Sequence, residues 1–190
     1  MVAVRVRDRV AIESAIGPPS WELTSVNELL SNWPAWLVLV GAGYAAFLIA
    51  IAVYDARHHR IPNVAIYPAI VVATSVAFVR PDGPSWSFLL AGLSAAAFFI
   101  AIGAISPGAM GGGDTKLAAL IGLVAGWPGV LVAVFIAFAV GAAVGLLLIA
   151  VGRLNRRQAL PFAPALALGA AIAALAGRQI AEVLWPGIVS

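Results

Sequence analysis

The sequence predicts an all-α integral membrane protein of about six transmembrane helices, with a short fourth segment that follows a glycine-rich loop. Three observations carry this. Hydrophobic residues make up 63% of the 190 residues and charged residues only 10%, where a soluble domain is about a quarter charged. The mean hydropathy is +1.03, so lipid is needed to cover the apolar surface. Apolar runs of spanning length recur along the chain, separated by basic, proline-rich or glycine-rich breaks.

Residues 1–34 read as an N-terminal extension and 35–190 as one membrane-embedded domain. In the extension, Val4 to Val10 alternates like an exposed strand, and Pro18-Pro19 breaks the chain. Thr24 or Ser25 followed by Glu28 suits a short capped helix lying at the membrane interface. The extension holds no apolar run of the length a cleavable signal peptide needs, and no catalytic role is expected of it.

The first span runs from Trp36 to Tyr54 and ends at Asp55, followed by Arg57-His58-His59-Arg60. Pro62 suits the first turn of the next helix, from about Asn63 to Val79, because its missing N–H costs nothing there. Arg80 to Ser85 reads as a turn, and a third span covers Trp86 to Ser106. Pro107-Gly108 ends that span, and Met110-Gly-Gly-Gly-Asp-Thr-Lys116 follows. The fourth segment, Thr115 to Gly126, covers roughly 18 Å at about 1.5 Å per residue and is too short to cross alone. Trp127-Pro128-Gly129 closes it. A fifth span covers Val130 to Val151, and a sixth opens at Pro161-Phe-Ala-Pro164 and ends near Ala176. No internal repeat is evident. Trp33, Trp36, Trp86, Trp127 and Trp185 fall near span ends, as interfacial anchors do.

Basic residues in short loops set orientation. With alternating crossings, Arg57, Arg60, Lys116, Arg153, Arg156 and Arg157 share one face, and Arg80 and Arg178 lie near the other. The first face reads as cytoplasmic, in the cell membrane, with both chain ends outside. Arg5, Arg7 and Arg9 oppose this but lie far from the first span. The net charge of +3 and this placement fit a lipid bilayer rather than nucleic acid. With no cysteine there is no disulfide and no thiolate metal site. His58 and His59 are adjacent, so they do not share a helix face and join the basic cluster instead of binding a metal. No cofactor is implied.

Between residues 29 and 181 the only acids are Asp55, Asp82 and Asp114. Asp82 sits in a Pro-Asp-Gly-Pro turn, where it can bond its own backbone. Asp55 and Asp114 map to the same face, each at a helix end. Carboxylates at the edge of hydrocarbon are costly and usually functional. Two held close can share one proton, one acting as general base on water while the other donates to a carbonyl. Spacing alone leaves a second reading open, in which each caps a helix or pairs with Arg57, Arg60 or Lys116. Gly111, Gly112 and Gly113 allow close backbone approach and bare main-chain pairing with an extended substrate. The order Gly-Asp-Thr-Lys does not fit a phosphate loop. Lys116 either favours ionised Asp114 or marks the membrane surface, the second being preferred. Asn63 either bonds the loop bearing Asp55 or caps it.

Three motifs in order resemble a known family. These are Tyr54-Asp55 with Arg-Ile-Pro-Asn at 60–63, Met-Gly-Gly-Gly-Asp-Thr-Lys-Leu at 110–117, and Leu-Pro-Phe-Ala-Pro-Ala-Leu-Ala at 160–167. Together they look like the type IV prepilin peptidases, intramembrane aspartyl proteases of the Gly-x-Gly-Asp kind, over about residues 36–178. The resemblance implies a catalytic pair at Asp55 and Asp114, a Gly-x-Gly at Gly111 and Gly113, and site-supporting residues at Asn63, Gly112, Lys116, Pro161 and Pro164. The family's usual Pro-Phe-Gly-Pro stands here as Pro161-Phe-Ala-Pro164. It also implies the substrate, a pilin-like (type IV or Flp-type) precursor whose basic leader is cut at the cytoplasmic face. Without cysteines or a long first loop, the chain looks like the short, peptidase-only type.

Other classes compete. An ion- or proton-coupled transport subunit would use the aspartates as carriers, but such acids usually sit near mid-membrane. A presenilin-like protease shares Tyr54-Asp55, Gly-Asp114 and Pro164-Ala-Leu166 but has more helices. A structural assembly subunit without activity is the third.

Overall fold

The computed structural model describes residues 35–79, 85–106, 110–153 and 161–184. Its helices are α1 (Ala35–His58), α2 (Asn63–Val79), α3 (Ser85–Ile105), α4 (Gly112–Ala150) and α5 (Ala163–Leu184). The all-α expectation holds among the described residues. Four of the five helices, α1, α3, α4 and α5, are long and apolar enough to cross a membrane, and α2 is a shorter apolar helix. The chain divides into two units, Met1–Tyr44 and Ala45–Ser190. The described part of the first is the opening of α1, and the second holds the candidate site.

The count of spans differs from the six expected, and the difference lies in α4. The expected fourth and fifth segments are two arms of one 39-residue helix. The break sits where the sequence placed it. Gly126 has φ +63°, which favours glycine, and a β-carbon there would lie 2.7 Å from the Phe88 ring. Trp127 is extended (φ −94°, ψ 135°), as steric conflict with a following proline demands. With both residues out of helical geometry, α4 is two helical arms joined across a kink.

Other boundaries shift for similar reasons. The first helix runs four residues past Tyr54 and closes at His59, whose φ is +51°. The His59 N–H donates to the Asp55 carbonyl at 2.7 Å, a left-handed C-terminal cap built without glycine. The last helix continues past the expected end: Ala176 leaves helical geometry (φ −139°, ψ 15°), then the helix resumes to Leu184. Arg178 and Glu182 form an exposed i,i+4 ion pair of 3.4 Å in that final stretch.

The α4 helix packs along both α3 and α5, and α2 touches it near its start. Small residues let the backbones meet, as they do in membrane bundles. Gly122 lies against Ala91 and Gly92 of α3, and Gly169 of α5 lies against Ala133 of α4. Phe99, Leu120, Ile121, Val132 and Leu166 are fully buried between them. Trp36, Trp86 and Trp127 are exposed, in keeping with their reading as anchors. The strand-like Val4–Val10 segment, the helix near Glu28, the Arg80–Pro84 part of the turn with Asp82, Trp33 and Trp185 lie outside the described residues.

Candidate active site

Asp55 occupies the last turn of α1 and is 5% exposed. It is the one buried polar or charged side chain among the described residues. Burying a carboxylate is costly unless something satisfies it. Here the donor comes from the far end of the chain: the Ala163 N–H donates to Asp55 Oδ2 at 3.2 Å. Ala163 is the first residue of α5, so Asp55 faces the positive end of a helix.

Asp114 lies in the first turn of α4 and is half-buried. Gly111 precedes that helix in extended geometry (φ −79°, ψ 143°) with no side chain of its own to cap it. The Asp114 carboxylate reaches back and accepts the Gly111 N–H. This satisfies a backbone donor that the helix start would otherwise leave unpaired. Asp114 also feels Asp55 as a like charge. The two acids, 59 positions apart in the sequence, are thus near enough for the charge of Asp55 to bear on Asp114.

The three glycines are not equivalent. A β-carbon on Gly111 would come 3.0 Å from Asp114 Oδ2, and one on Gly113 would come 2.9 Å from Ile61 Cβ. One on Gly112 would meet nothing within 4 Å. Close approach is therefore required at the first and third positions and not at the second, the pattern Gly-x-Gly.

The remaining expected residues separate into two groups. Lys116 is not on Asp114. Its ammonium donates to Asn63 Oδ1 at 2.7 Å and sits 4.7 Å from the centroid of the Tyr67 ring. Lys116 thereby ties α2 to α4. Asn63 correspondingly bonds Lys116, while the Pro62 carbonyl receives the first N–H groups of α2, from Ala65 and Ile66. Pro161 and Pro164 flank Phe162 and Ala163 and carry no N–H. His58 stacks on Tyr54 with ring centroids 4.2 Å apart, and its Nδ1 lies 3.0 Å from the Tyr54 carbonyl oxygen.

Sequence reading missed three contributors. Ile61 walls Gly113, Tyr67 faces Lys116, and the backbone of Ala163 reaches Asp55. None of the three left a signal of its partner in the sequence.

Helices of membrane-spanning length define a multi-pass membrane protein, and two neighbouring aspartates at helix ends are a candidate acid–base pair. The chain belongs to the type IV leader peptidase family, whose profile matches residues 42–146 and so includes both aspartates and the glycine loop. It is also 38% identical, over 138 residues, to the prepilin leader peptidase/N-methyltransferase of Bacillus subtilis (strain 168). That match covers 72% of this chain and 55% of the relative, so the chain spans about half the length of the curated relative it matches. No solved structure matches it.

Proposed function

We propose that the protein is an aspartyl endopeptidase that cuts the leader from a pilin-like precursor at the cytoplasmic face of the cell membrane. The observation that carries this is the electrostatic proximity of Asp55 and Asp114, one at the end of α1 and one at the start of α4, in a chain of the type IV leader peptidase family. Like charges in a site shielded from water are held at least cost with one proton between them. The ionised carboxylate takes a proton from water as its oxygen attacks the scissile carbonyl. The protonated partner gives its proton to the carbonyl oxygen. Collapse of the tetrahedral intermediate breaks the C–N bond, the amine leaves with a proton, and the pair again holds one. Gly112, exposed and without neighbours, presents bare backbone beside the pair for an extended substrate. The relative's name joins a leader peptidase to an N-methyltransferase; the peptidase activity is the one proposed for this chain.

Topology follows from the same reading. The two arms of α4, parted at Gly126, serve as the short fourth and the fifth of six membrane segments. Both aspartates then share the basic, cytoplasmic face.

Co-expression with a pilin precursor tests the assignment. Asp55→Asn and Asp114→Asn should each leave the precursor uncut, a loss of about a thousandfold or more for removal of either acid–base partner. Processing at the parental rate in either variant removes the catalytic assignment.

A further inference from the structure

The Pro161-Phe-Ala-Pro164 turn is more than a helix start. Pro161 and Pro164 lack an N–H, so the donors between them belong to Phe162 and Ala163 alone. The N–H of Leu166 returns to the Phe162 carbonyl at 3.0 Å, which makes Phe162 the residue that opens α5 and leaves the Ala163 N–H free of the helix's own ladder. That N–H goes to Asp55 Oδ2.

The turn is pinned by one ring. Phe162 lies 5.2 Å from Phe138 and 6.1 Å from Phe99, centroid to centroid, in tilted contacts. Phe99 in turn lies 5.7 Å from Phe138. Beneath the ring is Gly141, where a β-carbon would come 2.8 Å from Phe162 Cε2. The ring therefore sits in a slot made by two aromatic side chains and the bare backbone of α4. Moving it would shift the next residue, Ala163, whose side chain is itself fully buried.

We infer that Phe162 is a positioning residue for the proposed peptidase reaction: wedged on Gly141, it holds the Ala163 N–H against Asp55 and so fixes the orientation of that carboxylate. One oxygen is committed to the backbone donor, and the other is left for water. The inference rests on the reading of Asp55 as catalytic. Small displacements of a catalytic group are expensive, because rate depends on near-attack geometry. The loss should therefore appear in turnover rather than in substrate binding.

The test removes the donor without touching a side chain. Nonsense suppression with lactic acid at position 163 converts the 162–163 amide to an ester, which deletes the N–H and only weakens the Phe162 carbonyl that accepts from Leu166. Purified full-length protein is assayed on a pilin precursor in detergent, with melting temperature and folded fraction recorded for each variant. The expected result is a fall in kcat of up to about 100-fold, the cost of a small misplacement of a catalytic group, with KM within about twofold. Phe162→Leu should lower kcat in the same way in the amide protein and have no further effect in the ester protein, since both act through one hydrogen bond. An ester protein with parental kcat overturns the inference. Equal losses from Phe162→Leu in both backgrounds also overturn it, by showing that the ring acts through something else. Loss of processing in Asp55→Asn alongside a parental ester protein sinks this inference and leaves the peptidase reading standing; parental processing in Asp55→Asn sinks that reading itself.

Discussion

Gly113, in the first turn of α4, lies so near Ile61 that a β-carbon on it would stand 2.9 Å from Ile61 Cβ. Two residues beyond Ile61, Asn63 begins α2, so this contact joins the linker after Asp55 to the helix bearing Asp114. Gly112 beside it has open space. Gly113→Ala should therefore lower the melting temperature in detergent, at an overpacking cost of about 1–3 kcal/mol, and lower processing with it. Gly112→Ala should leave the melting temperature unchanged or slightly raised, since alanine is the better helix former. Equal melting temperatures for the two variants would contradict the contact.

The bond from Lys116 to Asn63 Oδ1, with Tyr67 alongside, gives a second tie between the same two helices. It is exposed, so its worth is modest, about 0.5–1 kcal/mol. Lys116→Met and Asn63→Ala should each cost a little stability, and the double variant should cost less than their sum. Processing should fall several-fold and not vanish. Abolished processing in Lys116→Met with an unchanged melting temperature would move the lysine into the chemistry.

Asp55 and Asp114 bring carboxylates and nothing more to the site: among the described residues no group of three histidine, cysteine, aspartate or glutamate side chains could hold a metal ion. A two-carboxylate peptidase needs only water and the pair's own proton. Processing by purified protein should be unchanged by EDTA and not stimulated by zinc or magnesium. A chelator-sensitive rate, restored by one divalent ion, would contradict the two-aspartate mechanism.

The absence of cysteine makes sidedness measurable one position at a time. Arg153 and Gln179 are both exposed; Arg153 follows α4, and Gln179 lies in α5 past the break at Ala176. In the proposed topology, Arg153→Cys reacts with a membrane-impermeant maleimide in inverted vesicles and not in intact cells. Gln179→Cys shows the reverse. The same sidedness for both would break the six-segment reading of α4 and α5.

Much of this was written in the sequence because membranes make sequence legible. Lipid forces apolar runs of fixed length and helical form, so the spans and the break at Gly126–Pro128 could be placed from residue type alone. The acids were legible because so few exist. The glycine at 113 could be suspected, but its neighbour Ile61 could not, since close approach depends on how two helices dock. The fourth and fifth expected segments appear as two arms of α4, because Pro128 marks a kink as readily as an end and residue type alone does not decide between them. The Ala163 donor was invisible for a plainer reason. It is a backbone group 108 positions from Asp55, and backbone carries no sequence signal.

The bundle's rigidity rests on two glycines far from the acids in function. A β-carbon on Gly122 would lie 2.5 Å from the Ala91 carbonyl oxygen, and one on Gly169 would run into the Ala133 carbonyl. In both cases the obstacle is backbone of a neighbouring helix, which cannot swing aside as a side chain can. Gly122→Ala must separate α4 from α3, and Gly169→Ala must separate α5 from α4. Each should cost about 1–3 kcal/mol or more, because van der Waals contact is what holds helices together in lipid. Gly103, whose nearest contact would be Met110 Cβ at 4.0 Å, has room for a methyl group, so Gly103→Ala should be neutral. Melting temperatures in detergent separate the cases: both crossing variants should fall well below the parent, with membrane protein level and processing falling in parallel, while Gly103→Ala stays level. A Gly122→Ala protein as stable as the parent would mean that α3 and α4 do not meet as closely as Gly122 and Ala91 do here.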